Sequence, residues 1–326
     1  MDTNTVRILW LYKYDPQYDF DNHLHMKYAR NLSTHPDVKL MVYGKGFDGK
    51  SVYEDIVQIP YNDKITLDQI YQQFKFDVII VNTKSRCFDY YSPHEKVQRG
   101  EWLPSDFTAW TRTPKLMIEE DYHYETEDNW YNEKKFDLIL QRHYSQSLRQ
   151  DKVPMLWHPF SVDTKLFGIR KLQARTKKIA FIGNAQPGVY KFRADALAQL
   201  LKNDFVSSFK GTIIRGQDYI NKLQEYISFL SCGSMMEICA AKNFEIMASG
   251  AVLFTNKFKG IDELFPRDAY VSYENNGSDV LTKARKILND DAFTNHVKNV
   301  ARETINKSHS HLVRNEELIQ IIKTHL

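Results

Sequence analysis

Cysteine is scarce. The chain of 326 residues holds three, Cys87, Cys232 and Cys239, and no CxxC pair. That excludes a disulfide framework and offers no zinc knuckle, and it suits a reducing compartment. Long apolar runs are missing too, since none approaches the roughly 20 residues a membrane span needs. The start, Met1 to Arg7, lacks the basic-then-apolar pattern of a secretory leader, so a cytoplasmic protein without a transmembrane segment is expected. Charge of one sign is also lacking: the formal net charge is +3, without the strong basic excess usual in a dedicated nucleic-acid binder, so charge neither demands nor excludes that partner. No internal repeat or low-complexity tract appears.

What is present is an ordinary globular composition, 42% hydrophobic and 26% charged, with 19 Tyr and 19 Phe. Such aromatic richness serves core packing, and it also serves a cleft that stacks rings on sugars or bases. Short apolar runs recur at Arg7–Tyr12, Val38–Tyr43, Asp77–Val81, Lys115–Glu119, Phe136–Leu140 and Val153–Trp157. Helical periodicity falls between some of them, at Asn22–Leu32 and Leu67–Phe74. This alternation predicts an α/β fold with a parallel sheet.

A basic, polar stretch around Thr164–Lys178 reads as a linker, after which the pattern restarts. Strands are expected at Lys178–Ile182, Phe209–Ile214, Ala251–Thr255 and Ala269–Ser272. Helices are expected at Phe192–Leu201, Ile220–Ile227, from Phe244, at Val280–Leu288, Ala292–Asn306 and Leu312–His325.

The chemistry concentrates in Glu237–Thr255, EICAAKNFEIMASGAVLFT. Glu237 and Glu245 are separated by seven residues, a small-residue loop runs into a helix, and Gly250 ends it in the manner of a left-handed cap. A loop-to-helix junction presents unpaired N–H groups and a positive dipole end, which suits a diphosphate. Glu245, inside the helix, can hold a ribose diol, and Glu237, at the mouth of the loop, can meet a sugar. An ordinary amphipathic helix with two surface glutamates would also carry this spacing.

This segment resembles the donor-site motif of group 1 GT-B glycosyltransferases. Lys242-Asn-Phe-Glu-Ile-Met-Ala-Ser-Gly-Ala is similar to the spore-maturation-protein (CgeB-like) branch, as are Gly260-Ile-Asp-Glu-Leu-Phe, Tyr270-Val-Ser-Tyr and His309-Ser-His-Leu-Val-Arg314. The likeness covers roughly residues 178–326, plus Pro159–Phe167 before the linker. Lys242 departs from it, because that branch usually has Arg there, and Lys neutralises phosphate without a bidentate fork.

The resemblance implies two Rossmann-like domains facing each other across a cleft. Residues 1–165 would form an acceptor domain, 166–177 a linker, 178–307 a nucleotide-sugar domain, and 308–326 a helix crossing back to the first domain. By position, Gly183, Lys191 and Arg193 match the family's glycine turn and basic residues at the diphosphate, although a strand–Gly–helix junction is also a plain α/β turn. Arg215 is a further phosphate candidate, Tyr219 a candidate for the base pocket, and Lys242, Phe244 and Glu245 complete the donor set.

On the acceptor side, Asp121 and His123 follow a strand whose C-terminal end would face a ligand, and His123 could relay the acceptor proton. His143 and Tyr144 close another strand with the same ambiguity. His23 and His25, two apart, lack the spacing of a metal pair on a helix. With no convincing DxD loop, a metal-independent enzyme is expected, and the resemblance implies retention of configuration. The implied co-substrate is a nucleotide-diphosphate sugar, a UDP-sugar first, and no other cofactor. The acceptor is open: glycan, protein, small molecule or a modified DNA base. Two other readings share these residues, a DNA-base glycosyltransferase acting on hydroxymethylated DNA and a non-catalytic nucleotide-sugar-binding protein.

Overall fold

The computed structural model describes residues 5–12, 24–47, 56–83, 102–119, 130–144, 153–168, 174–233 and 239–326. The chain divides into two units, Met1–Pro159 with Arg314–Leu326, and Phe160–Val313.

The first unit is built on a seven-stranded sheet in the order β3-β2-β1-β4-β5-β6-β7, every pair parallel. The strands are β1 (Val6–Tyr12), β2 (Val38–Tyr43), β3 (Val57–Ile59), β4 (Val78–Thr83), β5 (Lys115–Glu119), β6 (Leu138–Gln141) and β7 (Met155–Trp157). Alternate side chains enter two cores: Ile8, Trp10 and Tyr12 join one, Leu9 and Leu11 the other. Burial on both faces is why these strands read as continuous apolar runs. Around them lie α1 (Leu24–Ser33), α2 (Leu67–Phe74) and the single turn α3 (Trp130–Glu133). Helix α2 starts at a capping box in which Thr66 and Gln69 satisfy each other's backbone N–H.

The second unit holds a five-stranded parallel sheet, β12-β11-β10-β8-β9. Its strands are β8 (Thr176–Gly183), β9 (Val206–Lys210), β10 (Tyr226–Leu230), β11 (Val252–Asn256) and β12 (Val271–Tyr273). Its helices are α4 (Thr164–Phe167), α5 (Pro187–Lys202), α6 (Gly216–Glu225), α7 (Ala241–Ala248), α8 (Ile261–Leu264), α9 (Val280–Asn289) and α10 (Asp291–Thr304). A π-helical turn, Ile305–His309, leads into α11 (His311–His325). From Arg314 onward α11 belongs to the first unit, where Leu318, Ile319 and Ile322 enter the core beside β1.

Two expectations in the second unit fail. Strand β10 lies in the middle of the sheet where sequence periodicity extends a helix to Ile227. Helix α6 ends at Glu225 and β10 begins at Tyr226 with no loop residue between them, and all five strand residues are buried. Strand β9 spans Val206–Lys210 rather than Phe209–Ile214, because its register pairs Ile179 with Val206 and Gly183 with Lys210. Within the stretch expected as linker, Asp163 caps α4 through the N–H groups of Lys165 and Leu166. No helix among the described residues is long and apolar enough to cross a membrane.

Candidate active site

Strand β8 ends at Gly183, whose φ of +124° is one that side-chain-bearing residues rarely adopt. A Cβ there would come to 3.0 Å from the Lys242 Nζ, so the glycine leaves the approach open. The next residue, Asn184, accepts the Gln186 N–H at 3.0 Å, and Pro187 opens α5. Tyr190 breaks the helical dihedrals, with φ −128° and ψ 47°.

Arg193 lies beyond that kink and is 7% exposed. Its guanidinium sits 4.0 Å from the Tyr190 ring centroid and 5.5 Å from that of Phe181. The Nε is buried without a hydrogen-bond partner. Lys242 comes from the second position of α7 and donates to the Ile182 carbonyl at 2.7 Å. Burial, then repulsion from Arg193, pushes its ammonium down to about 8. A cation in the first turn of a helix also opposes the macrodipole. Among the described residues neither cation forms an ion pair with a carboxylate.

Helix α7 has no side-chain N-cap and ends in a Schellman motif: Gly250, φ +75°, donates to Met247 O and Ala251 donates to Ile246 O. Glu245, 6% exposed, faces α6, where the Tyr219 hydroxyl donates to its Oε2 at 2.6 Å. Burial, reinforced by Glu245, raises the Tyr219 phenol well above its ordinary value. Phe244 is fully buried, packed edge-on against Phe265 at 5.1 Å and His309 at 5.2 Å, so it anchors α7 in the core.

Gly183, Arg193, Tyr219, Lys242 and Glu245 thus converge on one end of the second sheet. Lys191 does not join them: it is exposed and paired with Asp195 at 2.6 Å. Arg215 is exposed at the start of α6. Glu237, Asp121 and His123 lie outside the described residues, as does His23. His143 is buried, and Tyr144 packs edge-on against Trp157 at 5.0 Å.

Sequence reasoning gave no role to the residues that hold the site's frame. Asn243 accepts from Ser231 Oγ at 2.6 Å and donates to Cys239 Sγ at 3.5 Å. Asn256 accepts the Gly233 N–H at 2.9 Å. Asn243 stood inside the motif already singled out; nothing in the sequence marked Ser231 or Asn256.

Comparison with known proteins bears on the fold and on the second unit. Residues 170–320 match the family model described as glycosyl transferase-like. That match falls within the second unit and the start of the last helix, and with two Rossmann-like units the chain has the GT-B fold of glycosyltransferases. A glycosyltransferase from Rickettsia africae is similar over 98% of both chains, with TM-score 0.64 and 15% identity. The Anabaena protein HepE, solved with UDP, has TM-score 0.63 and 11% identity over 98% of this chain and all 100% of its own. An alpha-glucosyltransferase solved with UDP-glucose and DNA containing an abasic site has TM-score 0.63 and 10% identity, again over 98% and 100%. At these identities the likeness speaks for the fold. No curated protein sequence matches the chain.

Proposed function

We propose that the second unit binds a nucleotide-diphosphate sugar, a UDP-sugar first, and that the enzyme transfers its sugar to an acceptor hydroxyl. One observation carries this reading. Arg193, buried, and Lys242, half-buried, form no ion pair with a carboxylate among the described residues, although Glu245 lies near enough to Lys242 to attract it, and they stand beside an open glycine turn and a helix start with no side-chain cap. Two neighbouring cations that no ion pair neutralises repel each other and cost stability, and a diphosphate would supply the negative charge between them. Glu245, held by Tyr219, is the acceptor for a ribose diol.

In the transfer, the bond from the anomeric carbon to the diphosphate breaks and the nucleoside diphosphate leaves with the electron pair. The acceptor oxygen forms the new bond and gives up its proton. Arg193, Lys242 and the amides of α7 stabilise the charge growing on the leaving group, as an oxyanion hole does. The roles of Glu237 with the sugar, and of Asp121 and His123 with the acceptor proton, rest on sequence. So do retention, metal independence and a cytoplasmic location. The near-balanced charge favours a glycan or small-molecule acceptor over duplex DNA.

Calorimetry with UDP and UDP-glucose tests the donor site. Binding by the wild type and its loss in Glu245→Ala is the expected result. Equal affinity in the two proteins would refute the assignment.

A further inference from the structure

An open cavity of about 830 Å³ lies in the first unit, at the C-terminal ends of β2 and β3 and along α2. We propose that it binds a neutral carbohydrate. Calling that carbohydrate the acceptor rests on the glycosyltransfer reading above; the binding itself rests on the cavity alone.

The size falls within the roughly 300–1,000 Å³ of small-molecule sites. The walls pair an apolar floor, Ile59 and Phe74, with the half-buried ring of Tyr61. Tyr43 backs that ring, with centroids 5.6 Å apart. The turn carrying Tyr61 is pinned from several sides. The Tyr61 N–H donates to Phe47 O at 2.9 Å, and the Tyr43 hydroxyl donates to Asn62 O at 2.7 Å. Asn62 Oδ1 accepts the Lys64 N–H at 2.9 Å. A preformed wall loses little entropy when a ligand arrives.

Around this floor stand the exposed Lys45, Asp63 and Gln73, and burial, then the charge of Asp63, raises the Tyr61 phenol. Together they offer ammonium and amide donors, carboxylate and amide acceptors, and no net charge. That balance decides the ligand class. A phosphate or nucleic-acid backbone would call for an excess of cations, and a purely apolar ligand would leave three polar groups facing it. A sugar ring has an apolar C–H face for the tyrosine's electron-rich face and hydroxyls around its rim that both donate and accept.

Saturation-transfer NMR with methyl α-glucoside, N-acetylglucosamine, cellobiose and maltotriose tests the inference, with a 12-base-pair DNA duplex as the competing arm. At least one sugar is expected to receive saturation. Its affinity is expected to fall at least tenfold in Tyr61→Ala and to be largely kept in Tyr61→Phe, which retains the ring. Unchanged melting temperature and UDP affinity in Tyr61→Ala would exclude unfolding as the cause. Silence from all four sugars, undiminished binding in Tyr61→Ala, or binding of the duplex that is lost in Lys45→Ala would each overturn it. Failure of UDP to bind while sugars still bind would instead sink the donor-site reading and leave this one standing.

Discussion

The Tyr219 hydroxyl stands 2.6 Å from Glu245 Oε2 and joins α6 to α7 through a carboxylate almost wholly withdrawn from water. Removing the donor leaves that oxygen without its phenol. Tyr219→Phe is therefore expected to cost about 1–3 kcal/mol of stability, as unsatisfied buried acceptors do. Urea denaturation measures this, and the same variant should bind UDP more weakly than wild type in calorimetry. An unchanged unfolding midpoint would mean the pair is not formed in solution.

Lys242 gives a pH prediction. Its folded value of about 8 lies below the ordinary 10.5, so between those values the unfolded chain binds more protons than the folded one. Stability of the free enzyme should therefore rise with pH across that window, at the site of this group. Donor binding should move the other way, because a diphosphate favours the charged amine. With the charged form retained in the complex, UDP affinity should fall by about tenfold from pH 7 to pH 9. Calorimetry in buffers of different ionisation heat should register proton uptake near pH 8, and Lys242→Met should remove both effects.

Arg193 separates anion binding from structure. Arg193→Met forfeits a cation–π contact and recovers the cost of an uncompensated charge, so free-enzyme stability should change by no more than about 1 kcal/mol. The rise in melting temperature that UDP gives the wild type should vanish. A large loss of stability with UDP binding intact would make Arg193 a structural residue.

Two glycines should respond differently. Gly250→Ala forces a side chain into the left-handed cap of α7, at an expected cost of about 1–2 kcal/mol. Gly183→Ala adds strain at φ +124° and also sets a methyl 3.0 Å from Lys242 Nζ. Its effect on UDP affinity should therefore exceed that of Gly250→Ala at equal stability loss, measured by calorimetry and denaturation together.

The last helix should be indispensable to the first unit. Leu318 is fully buried in the core with Ile8 and Trp10. Leu318→Ala should cost about 2–5 kcal/mol. Truncation after Val313 should leave a chain that fails to melt cooperatively in calorimetry.

Much of this arrangement is legible in one dimension, for identifiable reasons. Strands β1, β2, β5 and β11 are buried on both faces, so they are written as unbroken apolar runs, and α2 falls on the residues its periodicity marks. Strand β10 was illegible because Ile220, Leu223 and Ile227 keep a helical spacing across the junction where α6 becomes sheet. Strand β3, three residues long, is too short to show any period. In the site, Glu245 and Lys242 could be named from the motif, but Lys191 could not be told from Arg193. Both are basic residues near one helix start, and only the packing around the helix shows that Arg193 is buried while Lys191, two positions earlier and on another face, pairs with Asp195 in water.

The chain's own order of residues determined two α/β units, the Glu245 helix and its glycine stop, because local patterning and backbone preference act over a few positions. Tertiary structure decided which cations lose their water, which phenol meets Glu245, and where the final helix packs. Those outcomes depend on segments far apart in the chain: Ile182 with Lys242, Tyr219 with Glu245, Ile8 with Leu318. Desolvation and charge pairing arise only when such segments are brought within a few ångströms.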